Sequence, residues 1–305
     1  MTVKFWKDRY GRVLFRFVDI ICVAYLLIIA LFLVFFHKNV SRWPFIAVLN
    51  VVVAFGILEM VRLGETQRRR KIFWILRTFY PIAVLLFTWG ELDAIIPMFF
   101  GRYWATDSVI RLERKLFGGY PNVWVQQFYR PWLDELMNVL YAGYYLFMPV
   151  ISLTLFVKKK YEAALAAFSI GTFAYLTNYI LFFAFPTLAP NVAEAFDGLD
   201  IGSLSGYVMA DLTRFLQSGG SSRGATFPSS HISGVFVWTF AALRYHRPLG
   251  YGLLPLAFGV AVSTVYLGYH YAVDPIFGCL WAIICFPAAL KIIQARKEDP
   301  IRRKE

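Results

Sequence analysis

Two histidines and one aspartate stand at spacings that could support group-transfer chemistry. His270 and Asp274 are four positions apart, so in a helical turn their side chains are neighbours, and the carboxylate can fix the imidazole tautomer and stabilise its protonated form. A neutral ring nitrogen of His270 could attack phosphorus while a protonated His231 gives its proton to the leaving oxygen. These residue types are sufficient for phosphoryl transfer without a metal.

A short polar segment precedes His231. Pro228 is suited to a first helical turn, and the N–H groups and hydroxyls of Ser229 and Ser230 at a helix N-terminus form an anion site that a phosphate fits. Simpler roles stay open for the same residues. Either serine could be a helix cap, and Asp274, which precedes Pro275, could cap the next helix.

The composition determines what kind of elements position these residues. Of 305 residues, 59% are hydrophobic, only 16% are charged, and the mean hydropathy is +0.56. An ordinary water-soluble globule is therefore excluded, and long apolar runs predict an all-α polytopic membrane bundle. About eight transmembrane helices are expected, near 17–36, 44–63, 72–90, 136–157, 163–185, 228–246, 249–268 and 273–293.

The basic residues predict the orientation of this bundle. With eight spans, 21 of the 31 lysines and arginines fall on one side and 9 on the other. The positive-inside rule then places both termini in the cytoplasm and His231, His270 and Asp274 at the extracytoplasmic face. Basic residues beside apolar segments suit anionic lipid, so the net charge of +12 does not indicate a nucleic-acid partner.

Cysteines and intramembrane charges indicate no further chemistry. Cys22, Cys279 and Cys285 lack a disulfide or zinc spacing, so no metal and no cofactor is predicted. Asp19, Glu59 and Arg77 fall near the cytoplasmic ends of three predicted helices. We expect them to form a structural ion cluster; the alternative is the path of a transporter.

Two extracytoplasmic segments are too long to be simple connections. Segment 91–135 is expected to contain interfacial amphipathic pieces around Trp104, Trp124 and Trp132. Segment 186–226, with a Gly/Ser cluster at 218–224, has the composition of a mobile loop.

Two motifs resemble those of the type 2 phosphatidic acid phosphatase (PAP2) superfamily. Pro228-Ser229-Ser230-His231 is similar to the family's Pro-Ser-Gly-His, with Ser in place of Gly. Ser263-Thr264, His270 and Asp274 resemble its Ser-Arg-x5-His-x3-Asp, with Thr264 in place of Arg.

The resemblance covers about residues 105–290 and has a gap in its upstream part. The family's Lys-x6-Arg-Pro motif corresponds to Asn178 and Phe185-Pro186, so both of its basic residues are absent. Segments 116–121 and 185–190 resemble the branch that contains inositol phosphorylceramide synthases. We therefore expect two N-terminal transmembrane helices in 1–70 and a catalytic domain in 71–305 with a PAP2-like six-helix core.

The resemblance implies an enzyme with defined residue roles. His270 would be the nucleophile that forms a phosphohistidine, Asp274 its orienter and His231 the acid, with Ser229 and Ser230 on phosphate oxygens. It also implies metal independence and a catalytic face away from the cytosol.

The missing cations favour one class of substrate. A phosphodiester carries one negative charge and a phosphomonoester nearly two, so a site without three family cations is better suited to a diester. We expect transfer of a phospho-headgroup from a membrane phospholipid to a lipid acceptor, with Arg223 as first candidate for a replacement cation, then Arg214 and Arg130. The alternatives are hydrolysis, with water as acceptor, of phosphatidic acid-like monoesters or polyprenyl pyrophosphate, and a transporter. The short termini suggest a bacterial inner membrane, and the oligomeric state is not predicted.

Overall fold

The computed structural model describes residues 13–66, 71–196 and 206–301. The basic residues at 4–12, 68–70 and 302–304 that enter the charge alternation lie outside the described residues. Within the described residues the chain is helical, with one isolated bridge between Thr187 and Ala225 and no strands. The eleven α-helices described are α1 Phe17–Phe36, α2 Trp43–Thr66, α3 Lys71–Ile95, α4 Ala105–Phe117, α5 Pro121–Gln126, α6 Pro131–Val157, α7 Tyr161–Ala184, α8 Val208–Gly220, α9 Ser230–Tyr245, α10 Arg247–Tyr266 and α11 Val273–Ala295.

The predicted all-α polytopic bundle is confirmed. In the described part of the chain, seven helices are long and apolar enough to cross a membrane: α1, α2, α3, α6, α7, α10 and α11. The remaining predicted span, near 228–246, corresponds to α9, which has 16 residues. At 1.5 Å per residue it is about 24 Å long, shorter than a hydrocarbon core of about 30 Å.

Helix α9 lies at the centre of the bundle. It packs against α6, α7, α10 and α11. Its side chains are buried on nearly every face, including Val235, Trp238 and Ala242. Helices α1 and α2 pack against each other, α1 also contacts α7, and their buried side chains join the same hydrophobic core. The short central helix can therefore present its N-terminus inside the bundle, below the ends of its longer neighbours.

An ion cluster ties the first three helices together, with one member different from the prediction. The guanidinium of Arg77 contacts Asp19 at 3.3 Å and also pairs with Glu65. Glu59, which was predicted beside Arg77, pairs with Arg62 at 2.8 Å. Glu59 and Glu65 are six residues apart, which places them on different faces of α2.

The two long segments predicted to be extracytoplasmic are more helical than their composition indicated. Segment 91–135 contains α4 and α5, whereas Trp132, predicted as interfacial, belongs to α6, which begins five residues before the predicted span. Segment 186–226 was expected to be a mobile loop, but it contains α8, and the Thr187–Ala225 bridge joins its two ends. A small hydrophobic cluster, separate from the main core, joins α4 to the loop before α11 through Val109, Ile110, Phe196, Tyr271 and Val273.

Candidate active site

The two histidines come from different elements and meet beside the N-terminus of α9. His231 is in the first turn of α9, and His270 is in the connection between α10 and α11. Their ring centroids are 5.6 Å apart. Asp274, Ser229 and Ser230 lie around them and are buried. The structure thus brings together five of the six predicted site residues at one point.

His270 is held through both of its ring nitrogens. Nδ1 lies 3.1 Å from Oδ2 of Asp274, and Nε2 lies 3.1 Å from Oγ of Ser229. The same Asp274 oxygen accepts the backbone N–H of Tyr271 at 2.9 Å. If Nδ1 carries the proton that the carboxylate accepts, Nε2 keeps a free lone pair and Ser229 donates its hydroxyl proton to it.

The environment of His270 favours the neutral imidazole. Its side chain is almost fully buried, and burial lowers the pKa of the imidazole well below its ordinary value because the charged form loses water. The carbonyl of Thr226 offsets part of this effect on the pKa. A neutral ring with a lone pair on Nε2 has the protonation state that a nucleophile requires.

Close packing of α9 on α11 fixes this arrangement. Ser229 is the N-cap of α9, and its hydroxyl accepts the N–H of Ile232 at 3.4 Å. The backbone N–H of Ser229 donates to the carbonyl of Asp274 at 3.3 Å. A Cβ on Gly278 would lie 2.6 Å from the carbonyl oxygen of Ser229, so only glycine allows the two helices to come this close. Ser229 is therefore both a helix cap and a partner of His270, whereas the N-cap of α11 is Ala272 and not Asp274.

His231 is surrounded by aromatic side chains that the motifs do not include. Its Nε2 lies 3.3 Å from the hydroxyl of Tyr141, which also accepts a hydrogen bond from Nε2 of Gln217. The ring of Tyr144 is 4.5 Å from the imidazole between centroids, and that of Trp89 is 6.4 Å away. These rings enclose the imidazole and limit the orientations that it can take.

A cavity of about 320 Å³ lies beside both histidines. Ser230, His231 and His270 line it together with aromatic, aliphatic and polar residues. The aromatic ones are Trp89, Tyr141, Tyr144, Tyr145, Tyr175, Tyr179 and Tyr269. Tyr141 is ten residues from the start of α6, about 15 Å along the helix, so the cavity is recessed within the bundle.

Arg223 is the single lysine or arginine among the lining residues that the structure describes. It lies on the segment after α8, where its backbone N–H donates to Asp93 at 2.9 Å and the carbonyl of Gly220 accepts from Nε1 of Trp89 at 2.7 Å. Gly224 has φ +91, and a Cβ there would lie 2.8 Å from Ile96, so this segment requires glycine at that position.

The other two candidate cations do not line the cavity, although Arg214 lies close enough to Tyr269 of its wall to interact with it electrostatically. Arg214 pairs with Asp211 on the exposed face of α8, and Arg130 donates to the carbonyl of Tyr129 in an exposed position; neither lines the cavity. Arg223 therefore remains the candidate for the cation that binds the phosphate.

The positions without family cations have structural contacts of their own. Asn178 is buried and donates to Oγ of Ser233 at 3.3 Å, and the hydroxyl of Thr264 donates to the carbonyl of Ala261 at 2.8 Å. Neither residue lines the cavity. The motifs did not predict the aromatic residues of the cavity, notably Tyr141 and Tyr144. The sequence contains one indication of them, which is the spacing of tyrosines at i, i+3 and i+4 within a predicted span.

Comparison with known proteins gives one match. The family model described as the PAP2 superfamily matches residues 107–288, more than half of the chain. No curated protein and no solved structure matches. The matched range runs from α4 to α11 and includes Ser229, Ser230, both histidines and Asp274.

Proposed function

The chain belongs to the PAP2 superfamily, and from the geometry of its site we propose that it transfers a phospho-headgroup from a membrane phospholipid to a lipid acceptor. At the coarser level it is a PAP2-type lipid phosphatase or phosphotransferase of the membrane. One observation carries the finer proposal. A neutral His270, held between Asp274 and Ser229, stands 5.6 Å from His231 between ring centroids, at a cavity whose described lining residues include one lysine or arginine, Arg223.

In the first half of the reaction, Nε2 of His270 attacks the phosphorus of the donor. The N–P bond forms as the bond from phosphorus to the donor's lipid oxygen breaks, and His231 gives that oxygen its proton. Asp274 stabilises the positive charge that develops on the His270 ring. Ser229, released from Nε2, and Ser230 can then donate hydroxyl protons to the phosphoryl oxygens.

In the second half, the acceptor hydroxyl replaces the donor. His231, now neutral, takes the proton of this hydroxyl as the oxygen attacks phosphorus, and the N–P bond breaks to restore His270. Tyr141, hydrogen-bonded to Nε2 of His231, orients the ring for both steps. Water in place of the lipid hydroxyl would make the same site a hydrolase.

The shortage of positive charge supports a diester donor. Asn178 and Thr264, which stand where the family has cations, bond within the bundle and do not line the cavity. Arg223, exposed at the cavity wall, is the one lysine or arginine among the described lining residues, and the positive charge of His231 leaves with the proton that it donates. A monoester dianion would therefore keep its second charge in a recessed cavity where Arg223 is the one permanent cation described.

We further propose that the site faces away from the cytosol. On α3, Arg77 of the ion cluster and Trp89 of the cavity are twelve residues apart, about 18 Å along the helix. The ion cluster thus lies toward the end that the charge alternation places in the cytoplasm, and the histidines toward the other end.

Purified protein tests the reaction directly. We would incubate it with headgroup-labelled phosphatidylinositol plus ceramide or diacylglycerol, and in parallel with phosphatidic acid and with polyprenyl pyrophosphate. Transfer of the label to the lipid acceptor is expected. Rapid release of free phosphate from the monoester or pyrophosphate, without headgroup transfer, would overturn the proposal.

Two histidine variants separate the mechanism from general effects of substitution. His270→Ala should abolish transfer, whereas His37→Ala should retain it, because His37 lies in the 3₁₀ turn after α1 and contacts only the carbonyl of Val34 and the ring of Trp43 in the described structure. Full activity in His270→Ala would rule out the covalent route.

A further inference from the structure

The catalytic connection between α10 and α11 is supported from outside by the interfacial helices α4 and α5. Glu113 of α4 has no exposed surface. Its Oε2 accepts the backbone N–H of Val273 at 3.2 Å, and the N–H of Ala272 also points to this carboxylate. Glu113 thereby caps the N-terminus of α11 immediately before Asp274, where no local side chain caps it.

Asn122 of α5 holds the other part of the same connection. It is completely buried, and its Nδ2 group donates to the carbonyl of Val265 at 2.8 Å and to the carbonyl of His270 at 2.8 Å. Val265 lies in the last turn of α10, whose final carbonyls have no partner within the helix. One amide therefore joins the end of α10 to the backbone of the nucleophile.

The local sequence explains how Asn122 reaches this position. Gly118 ends α4 with φ +73, a left-handed conformation that suits glycine. Gly119 packs so closely on Trp124 that a Cβ would lie 2.5 Å from its ring. The chain then turns into α5 at Pro121, and Asn122 follows directly. The Gly-Gly-Tyr-Pro part of segment 116–121 thus forms the turn that places the side-chain amide of Asn122 beside the connection.

We propose that Glu113 and Asn122 are positioning residues that hold the His270–Asp274 connection in its reactive geometry. The inference rests on the proposed role of His270. Neither residue lines the cavity, so neither has to touch substrate. Asn122 fixes the main chain of His270 directly, and Glu113 fixes the turn that carries Asp274.

The burial of Glu113 agrees with this assignment. Burial raises its pKa to about 7; the N–H groups of Ala272 and Val273 lower the pKa again in part, and the charge of Asp274 raises it further. A carboxyl group kept away from water in this way costs stability. Its retention is understandable if the turn before Asp274 needs its acceptor oxygens.

Two nearly isosteric variants test the proposal. Asn122→Asp keeps the volume but removes both N–H donors, and Glu113→Gln keeps an acceptor but removes the charge. Asp107→Asn, an exposed carboxylate on the same helix α4, is the matched control. For each we would measure kcat and KM for headgroup transfer and the hydrogen exchange of backbone amides in 264–274.

A displacement of the reacting groups by about 1 Å can cost on the order of 10²-fold in rate. We therefore expect kcat to fall about 10²-fold in Asn122→Asp and about tenfold in Glu113→Gln, with KM within about twofold of wild type. Amide exchange in 264–274 should become faster in both variants and stay unchanged in Asp107→Asn.

Three results would overturn the proposal: wild-type kcat in both folded variants, a fall in kcat without faster exchange in 264–274, or rapid exchange of the Val273 amide already in the wild type. The last measurement needs no variant, so it holds even if a substitution prevents folding. His270→Ala, assayed in parallel, separates this test from the proposed function. Full activity of His270→Ala would refute the covalent route. Amide exchange in 264–274 would still test whether Glu113 and Asn122 hold the connection.

Discussion

Asp274→Asn is the sharpest test of how the site works, because the structure lets this change remove a charge and little else. The Oδ2 atom of Asp274 accepts from Nδ1 of His270 at 3.1 Å and from the N–H of Tyr271 at 2.9 Å. An asparagine can place its oxygen there and keep both hydrogen bonds. Its amide then takes the position of Oδ1, which is buried without a hydrogen-bond partner, and leaving it unpaired costs about 1–3 kcal/mol of stability.

The kinetic effect follows from the charge that is lost. In the proposed mechanism the ring of His270 becomes cationic when its Nε2 bonds to phosphorus, and at a separation of 3.1 Å the attraction to a carboxylate is about 5 kcal/mol at an effective dielectric constant of about 20. Each 1.36 kcal/mol corresponds to a factor of ten in rate, so kcat should fall by about 10³ to 10⁴.

The assay compares steady-state transfer with the amount of phosphoenzyme trapped by alkaline quenching. Asp274→Asn should form its phosphoenzyme slowly, while Asp211→Asn, an exposed carboxylate on α8, should behave as wild type. Combining Asp274→Asn with His270→Ala should add nothing to the loss caused by His270→Ala alone, because the two residues act as a unit. If Asp274→Asn retained more than about a tenth of the wild-type kcat, the carboxylate would not stabilise the charged ring.

Four further outcomes are expected. Arg223→Gln should lower kcat/KM about fivefold and reduce its dependence on salt, since one exposed cation contributes on the order of 1 kcal/mol; unchanged kcat/KM would remove Arg223 from the site. Tyr141→Phe should lower kcat about tenfold at constant KM by freeing Nε2 of His231, and wild-type kcat would deny Tyr141 any part in orienting that ring. Arg77→Met should destabilise the fold by about 3–5 kcal/mol, because Asp19 stays buried without its cation, yet leave activity per folded molecule unchanged; a wild-type Tm would contradict this. Because burial raises the pKa of Glu113 from 4.5 to about 7, its ionisation destabilises the folded state as the pH rises through that window. The Tm of Glu113→Gln, relative to wild type, should therefore increase from about pH 5 to pH 8, and a constant difference would refute the assignment.

The membrane helices could be predicted because hydropathy is a local property of the sequence. Helix α1 occupies the predicted 17–36, and the other spans differ from prediction by a few residues at their ends. Helix α8 was missed because a short amphipathic helix within a segment rich in Gly and Ser leaves no long apolar run. Glu65 was missed as a partner of Arg77 for a related reason. The rotation of α2 about its axis decides whether Glu59 or Glu65 faces Arg77, and hydropathy does not determine that rotation.

The residues of the site also separate into those that local sequence predicts and those that only packing brings together. His231, His270 and Asp274 could be predicted because they occur in two short motifs at the starts of helices. The ring of aromatic residues around His231 could not, since Trp89, Tyr141 and Tyr144 come from α3 and α6 and meet the histidine only through packing. Glu113 and Asn122 were hidden for the same reason, because their partners are backbone groups about 150 residues later in the chain.

The distribution of positive charge connects the fold to the choice of substrate. At about 4 Å, one cation in water-like surroundings contributes about 1 kcal/mol per negative charge and about 4 kcal/mol at an effective dielectric constant near 20. Arg223 is exposed, so its contribution lies toward the lower value, whereas a phosphate beside His270 is recessed among aromatic rings and loses much of its hydration. The second charge of a monoester would have to be desolvated with Arg223 as the one permanent cation among the described lining residues. A diester, which never carries the second charge, avoids the cost, and this supports a diester over a monoester as the donor in the proposed function.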